Sequence, residues 1–285
     1  IFFEEKIHTI RRIHPDPNQI ELAAKKILSS SQPIIIAGGG VLYSEAEKEL
    51  SNFAEKHNIP VTPTVMGIGC MIKDDPYYIG AIGCLGEGSS NNLSKETDLA
   101  LAIGTKLGDF TTGSWSNFHN KDFKLVSINT ARFDVTKHLA TPVISDAKIG
   151  LQELSKVLGN WKSPNNWYER AKKEKSNWDK YVTKQSGPTN QELPSYAHAV
   201  GAVYRNADPS DIVVTAAGGL VGEVVQIWKP KELNTFETEW GFSCMGYEIS
   251  GALGIKMAKP HQDVVVFVGD GSYLLNNSDI YSSII

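Results

Sequence analysis

Residues 264–268 are five apolar side chains in a row, and they run directly into Gly269-Asp270-Gly271-Ser272. A short, unbroken apolar run bounded by turn residues reads as a strand buried on both faces. Such strands belong to parallel sheets sandwiched between helices, and the rest of the chain repeats the pattern. Residues 34–37 are apolar and end in Gly38-Gly39-Gly40, and residues 99–103 end at Gly104. Residues 60–63, 124–129, 142–145 and 211–215 supply four further strands. Helical stripes lie between them. Asp16-Pro17 reads as an N-cap and first helical residue, followed by Ile20, Ala23, Ala24, Ile27 and Leu28 on one face. Ser44 with Glu47 reads as a capping box for the stripe Ala46, Leu50, Phe53 and Ala54. Asp146 caps Ile149, Leu151, Leu154 and Leu158, residues 194–207 carry Ala199, Val200, Val203 and Tyr204 on one face, and residues 247–258 form a small-residue helix. Strands alternating with helices predict an α/β fold with a doubly wound parallel sheet.

Sheets of this kind bind ligands at the carboxyl ends of their strands, so the turns there carry the chemistry. Around Asp270, two glycines let the backbone turn tightly and approach a ligand. Free N–H groups in such a turn suit a diphosphate. The Asp270 carboxylate is a hard oxygen ligand of the kind Mg²⁺ takes alongside phosphates. A strand-ending turn with no ligand accounts for the same residues, and the same two readings apply to Ala216-Ala217-Gly218-Gly219. At Gly38-Gly39-Gly40 a dinucleotide fingerprint would need Gly at position 43, where Tyr43 stands, and no acidic residue ends the next strand near Thr64. Close strand–helix packing explains those glycines better than bound NAD or FAD.

Composition narrows the class. At 285 residues there is room for about two domains. A net charge of -4 gives no reason to expect nucleic acid. No apolar run reaches membrane-span length and no signal-peptide pattern opens the chain, so no membrane partner is expected. Cys70, Cys84 and Cys244 form no Cys-x-x-Cys pair and suit plain thiols in a cytoplasmic protein. The seven histidines show no metal spacing, and no Gly-x-Ser-x-Gly elbow is present. Asp74-Asp75 and Glu237/Glu239 read as solvated carboxylates. Residues 1–15, with Arg11 and Arg12, read as a solvated linker, 16–160 as a complete doubly wound domain, 161–190 with Trp161, Trp167 and Trp178 as a helical arm and linker, and 191–285 as part of a second domain. A start at Ile1 without Met fits a piece of a longer protein.

The phrases Ala37-Gly-Gly-Gly40, Asn58-Ile-Pro-Val61, Ile79-Gly-Ala-Ile-Gly83, Asp98-Leu-Ala-Leu-Ala-Ile-Gly-Thr105 and Ser127-Ile-Asn129 occur in this order. With Trp240-Gly-Phe-Ser-Cys-Met-Gly246 and Gly269-Asp-Gly-Ser272, they resemble the thiamine diphosphate enzymes of the acetolactate synthase and pyruvate decarboxylase superfamily. The resemblance implies a Rossmann-like central domain followed by part of a thiamine diphosphate-binding domain. It implies thiamine diphosphate and Mg²⁺ as cofactors, with Gly218, Gly219, Ser243, Met245, Gly269, Asp270, Gly271 and Ser272 as binding residues and Asp270 as metal ligand. Met245 stands where relatives prop the cofactor with a bulky apolar residue, although on sequence alone it reads as core. Ser243 replaces the Gly usual in relatives. An Asn that completes the metal motif would fall beyond residue 285, and the superfamily's catalytic Glu belongs to a domain before residue 1, contributed by a partner subunit. No residue of the chain is therefore assigned as catalytic. The chain alone is expected to be inactive and its parent to be a homo-oligomer.

Within the superfamily, Gly241-Phe-Ser-Cys-Met-Gly-Tyr-Glu-Ile249 and the stretch from Gly269 to Asp279 are most similar to the branch that hydrolyses a ring C–C bond in myo-inositol breakdown. That would make the substrate a small cyclic polyol dione. An acetolactate synthase-like carboligase or decarboxylase is the alternative within the superfamily. A non-catalytic Rossmann-like binding module is the alternative outside it.

Overall fold

The computed structural model describes residues 9–285, so the first eight residues of the expected linker lie outside the described residues. Five strands form the first sheet: β1 (Pro33–Ala37), β2 (Val61–Pro63), β3 (Leu99–Ile103), β4 (Lys124–Asn129) and β5 (Thr141–Ile144). They are all parallel, in the doubly wound order β2-β1-β3-β4-β5. Alternate residues face opposite sides. Ile35, Ala37, Leu101, Ile103, Val126 and Ile128 pack with the helices Pro17–Leu28, Glu47–His57 and Ala147–Leu158. On the other face, Ile34, Ile36, Ala100 and Ala102 pack with Leu93 and Trp167. Trp167 belongs to the long helix Asn165–Gln185, and its indole N–H donates to the Pro33 carbonyl at 2.8 Å, which seats that helix on the sheet.

The expected caps at Asp16 and Asp146 are present, accepting from the Asn18 and Ile149 amides respectively. Asp146 also receives Arg12 at 3.1 Å, and Arg12 donates to the Ser44 carbonyl at 2.6 Å. Arg12 is thus a clip onto the sheet's carboxyl edge, not a solvated linker residue. The Ser44–Glu47 capping box is absent. Ser44 closes the short helix Gly39–Tyr43, Glu45 turns the chain through φ +50°, and Ala46 becomes the N-cap of Glu47–His57. The left-handed residue redirects the backbone before the Ser44 hydroxyl can reach the next helix.

The second sheet comprises β6 (Ile212–Thr215), β7 (Phe236–Thr238) and β8 (Val264–Val266), parallel and in the order β7-β6-β8. Only the central strand β6 is buried throughout. The apolar run expected to be buried on both faces is corrected here: β8 is three residues long and half-buried, because β6 is its only strand neighbour among the described residues. The helix Tyr196–Asn206 starts from a Ser195 capping box with His198. Of its expected apolar face, Val200 is buried and Ala199 and Val203 are exposed.

The two sheets share a core. Val65, Ile68 and Ala81 from the first region pack with Val213, Val224 and Phe236 of the second. Lys229 forms a buried ion pair with Glu87 across this junction. Among the described residues no helix is long and apolar enough to cross a membrane.

Candidate cofactor site

Three parallel strands in register bring their carboxyl ends together. Val213 sits beside Phe236 on one side and Val265 on the other, so the turns after β6, β7 and β8 share one edge. The chain leaves β6 towards β7 and returns past β6 to β8. The strand order therefore reverses beside β6, where open sheets form a ligand crevice.

The turn after β6 places Gly218 at φ +82°, with Gly218 and Gly219 both exposed. A Cβ added at Gly218, Gly219 or Gly269 would meet nothing within 4 Å. These glycines face open space. The first sheet's glycines do not: a Cβ on Gly38 would lie 2.3 Å from the Gly104 carbonyl oxygen, and one on Gly40 2.6 Å from the Gly104 Cα. Backbone–backbone packing requires glycine there. A cleft of about 860 Å³ runs from Gly39, Gly104 and Asn129 to Trp240 and Ser243, joining that first edge to the β7 turn.

After β7 the chain makes the loop that carries Ser243 and Met245. The Glu239 carboxylate accepts from the amides of Phe242 at 3.3 Å and Cys244 at 2.6 Å, which holds Ser243 at φ +51°. Met245 is 51% exposed, which excludes the core reading. Its Cε lies 2.9 Å from where a Cβ on Gly271 would stand, so the thioether side chain rests on the Gly-Asp-Gly turn. Partial burial pushes the Tyr247 phenol up, and the nearby Glu237 and Glu239 add to this.

After β8, Gly269 caps the short helix Asp270–Asn276. The Asp270 side chain is exposed in its first turn, while Ser272 is buried. All eight residues expected at the site therefore lie in the three adjacent turns. Direct contact is seen between Met245 and Gly271. Two residues missed by sequence reasoning tie the turns together. Glu248 is fully buried and accepts from the amides of Ala217 and Gly246, both at 3.1 Å. The Asn276 amide donates to the Gly246 carbonyl at 3.2 Å and the Ser250 hydroxyl at 2.9 Å. A glutamate in a helix's first turn ordinarily reads as a surface residue complementing the helix dipole, so its position alone does not mark Glu248.

Open glycine turns and one exposed carboxylate at a strand-end crevice fit a diphosphate with its divalent cation. The Thr215 hydroxyl adds to this: it is buried at the end of β6 without a hydrogen-bond partner. Among the described residues no cluster of three or more His, Cys, Asp or Glu side chains is placed to hold a metal by itself.

A doubly wound domain followed by such a site defines the class. The family description "Thiamine pyrophosphate enzyme, central domain" matches residues 20–154, and "Thiamine pyrophosphate enzyme, C-terminal TPP binding domain" matches residues 216–284. The chain belongs to the thiamine pyrophosphate enzymes. Over 99% of its length it is 34% identical to proteins named 3D-(3,5/4)-trihydroxycyclohexane-1,2-dione hydrolase from Geobacillus thermodenitrificans, Clostridium tetani and Clostridium perfringens. It covers 47%, 48% and 48% of those proteins, and so spans about half the length of the curated relatives it matches.

Proposed function

We propose that this chain is the central domain and part of the cofactor domain of a hydrolase acting on 3D-(3,5/4)-trihydroxycyclohexane-1,2-dione. The reaction would break a ring C–C bond next to a carbonyl and add water, giving 5-deoxy-D-glucuronate in myo-inositol breakdown. One observation carries the reading: the likeness to proteins of that name is 34% over 99% of the chain and so takes in all three site turns. The protein would work in the cytoplasm as a homo-oligomer.

In this reading the backbone of Gly218, Gly219 and Gly271, with the Ser272 hydroxyl, holds the diphosphate of thiamine diphosphate. Asp270 and the phosphate oxygens hold Mg²⁺. Gly269 lets the chain turn from β8 into this cradle. Met245 supports the body of the cofactor, and the Ser243 backbone meets its aminopyrimidine ring. When bound, thiamine diphosphate supplies a nucleophilic carbon able to cleave a bond beside a carbonyl. The residues of this chain bind and orient it, and the proton-transferring carboxylate comes from elsewhere in the whole protein.

The test uses the full-length protein that contains this chain. The cyclic dione should be opened in a reaction dependent on Mg²⁺ and thiamine diphosphate, and pyruvate should not be turned over. Asp270→Ala should abolish cofactor binding and ring opening together while leaving the circular dichroism spectrum unchanged. Turnover of pyruvate in place of the dione would favour a carboligase. An active Asp270→Ala protein would refute the metal-site assignment.

A further inference from the structure

The Glu248 side chain joins two of the three turns, and its chemistry is specific to a carboxylate. One oxygen accepts from the Ala217 N–H and the other from the Gly246 N–H, each at 3.1 Å. Both partners are donors, so both oxygens must be acceptors. A glutamine at this position would turn an NH₂ group towards one of the two N–H groups. The carboxylate is wholly buried, in the first turn of the helix Tyr247–Ala258, where the helix dipole favours a negative charge. Ala217 directly precedes Gly218, and Gly246 directly follows Met245. Gly218 and Gly246 both have left-handed backbone, at φ +82° and +95°, so each clamped amide lies within or beside a turn of unusual conformation.

We infer that Glu248 is a positioning residue: it clamps the diphosphate-binding turn after β6 to the loop after β7 that carries Ser243 and Met245. The spacing between the two ends of the cofactor site is then set by one side chain that never touches the ligand. This inference rests on the proposed thiamine diphosphate reading. Without the clamp, both turns must be ordered by the cofactor itself, and the ordering cost appears as weaker binding.

The experiment compares the full-length protein with Glu248→Gln and Glu248→Asp. Gln removes one acceptor, and Asp is one methylene too short to reach both amides. Calorimetric titration with thiamine diphosphate in saturating Mg²⁺ should show the dissociation constant raised about tenfold or more in each variant, the scale of one lost charge-assisted hydrogen bond. At saturating cofactor, KM for the dione should stay within about twofold of the unaltered protein, and the titration should still fill every site, whereas a misfolded fraction would lower the number of sites rather than the affinity. A folded Glu248→Gln protein with unchanged cofactor affinity would overturn the clamp alone. No cofactor binding by the unaltered protein would overturn the functional reading and the clamp's role together. Hydrogen exchange on the unaltered protein without cofactor decides the case should the variants fail to fold. The Ala217 and Gly246 amides should exchange slowly, and those of Gly218 and Gly219 should exchange fast until cofactor and Mg²⁺ are added. Fast exchange at Ala217 or Gly246 would overturn the inference.

Discussion

Replacing Lys229 with methionine tests how the two sheets are held together. Lys229 is 7% exposed and Glu87 fully buried, and their ion pair spans the junction between the sheets. Glu87 also accepts from the Ala81 amide at 3.1 Å and the Tyr78 hydroxyl at 3.5 Å, while its second oxygen has no hydrogen-bond partner. Burial pushes the Lys229 ammonium's pKa down, and Glu87 offsets this only in part, so the pair fixes docking more than it adds net stability. Lys229→Met keeps the volume but leaves a buried carboxylate without its cation, which costs about 3–5 kcal/mol. Glu87→Gln with Lys229→Met removes both charges and keeps an acceptor for Ala81. That double variant should return to within about 1 kcal/mol of the unaltered protein, recovering about 2–4 kcal/mol of what Lys229→Met alone loses. Urea unfolding followed by tryptophan fluorescence is the assay. The adjacent Trp228 is 3% exposed and packs edge-on against Tyr204 and Phe267, so its emission reports this junction. A Lys229→Met protein as stable as the parent, or a double variant no better than the single, would refute the reasoning.

The glycines should separate by role. Gly40→Ala places a Cβ 2.6 Å from the Gly104 Cα and should cost about 2 kcal/mol or more by urea unfolding, whereas Gly219→Ala meets nothing within 4 Å and should leave stability within about 0.5 kcal/mol while weakening thiamine diphosphate binding. His57 is held neutral: burial lowers its pKa below 6.5, while its ring contacts the Trp161 carbonyl at 2.8 Å and the Ser155 hydroxyl at 3.1 Å. The unfolded chain therefore binds more protons below pH 6.5, stability is full above that pH and is lost as pH falls through it, and Tm should drop less steeply on acidification in His57→Gln than in the parent. In the proposed ligand set Asp270 would be the one carboxylate this chain gives the cation, so calorimetric titration of the chain on its own with Mg²⁺ and thiamine diphosphate should show no saturable binding in the micromolar range, and micromolar binding would contradict that set.

What could be read from the sequence was what depends on near neighbours. The bounds of β3 and β4 match the expected runs because those strands are covered on both faces and their composition says so. Asp16 and Asp146 were legible as caps because a cap bonds to amides two or three residues on. The failures have long-range causes. An apolar run cannot report how many neighbours its strand has: among the described residues β8 pairs with β6 alone, and residues 264–268 are half-buried there instead of buried on both faces. The Ser44–Glu47 pattern was overridden by the left-handed Glu45 between the two helices.

The site divides in the same way. Gly269-Asp270-Gly271 could be read as the turn that ends β8 because a tight turn has local residue requirements. The Glu87–Lys229 pair could not be read, since each charge sits in a different sheet's territory and neither stretch shows its partner. Glu248 is the instructive intermediate. Its partner Ala217 is 31 residues away, which no spacing rule reaches. Yet it shares a helix face with Ala252, four residues on, in a helix of small and apolar residues. Ala252 and Ile249 are both buried, so a carboxylate on that stripe has no route to water and must find donors inside. The donors available at the start of a helix are the free N–H groups of neighbouring turns. A lone acidic residue on the buried stripe of a small-residue helix, directly after a glycine loop, is therefore evidence of two turns being held together before either is seen.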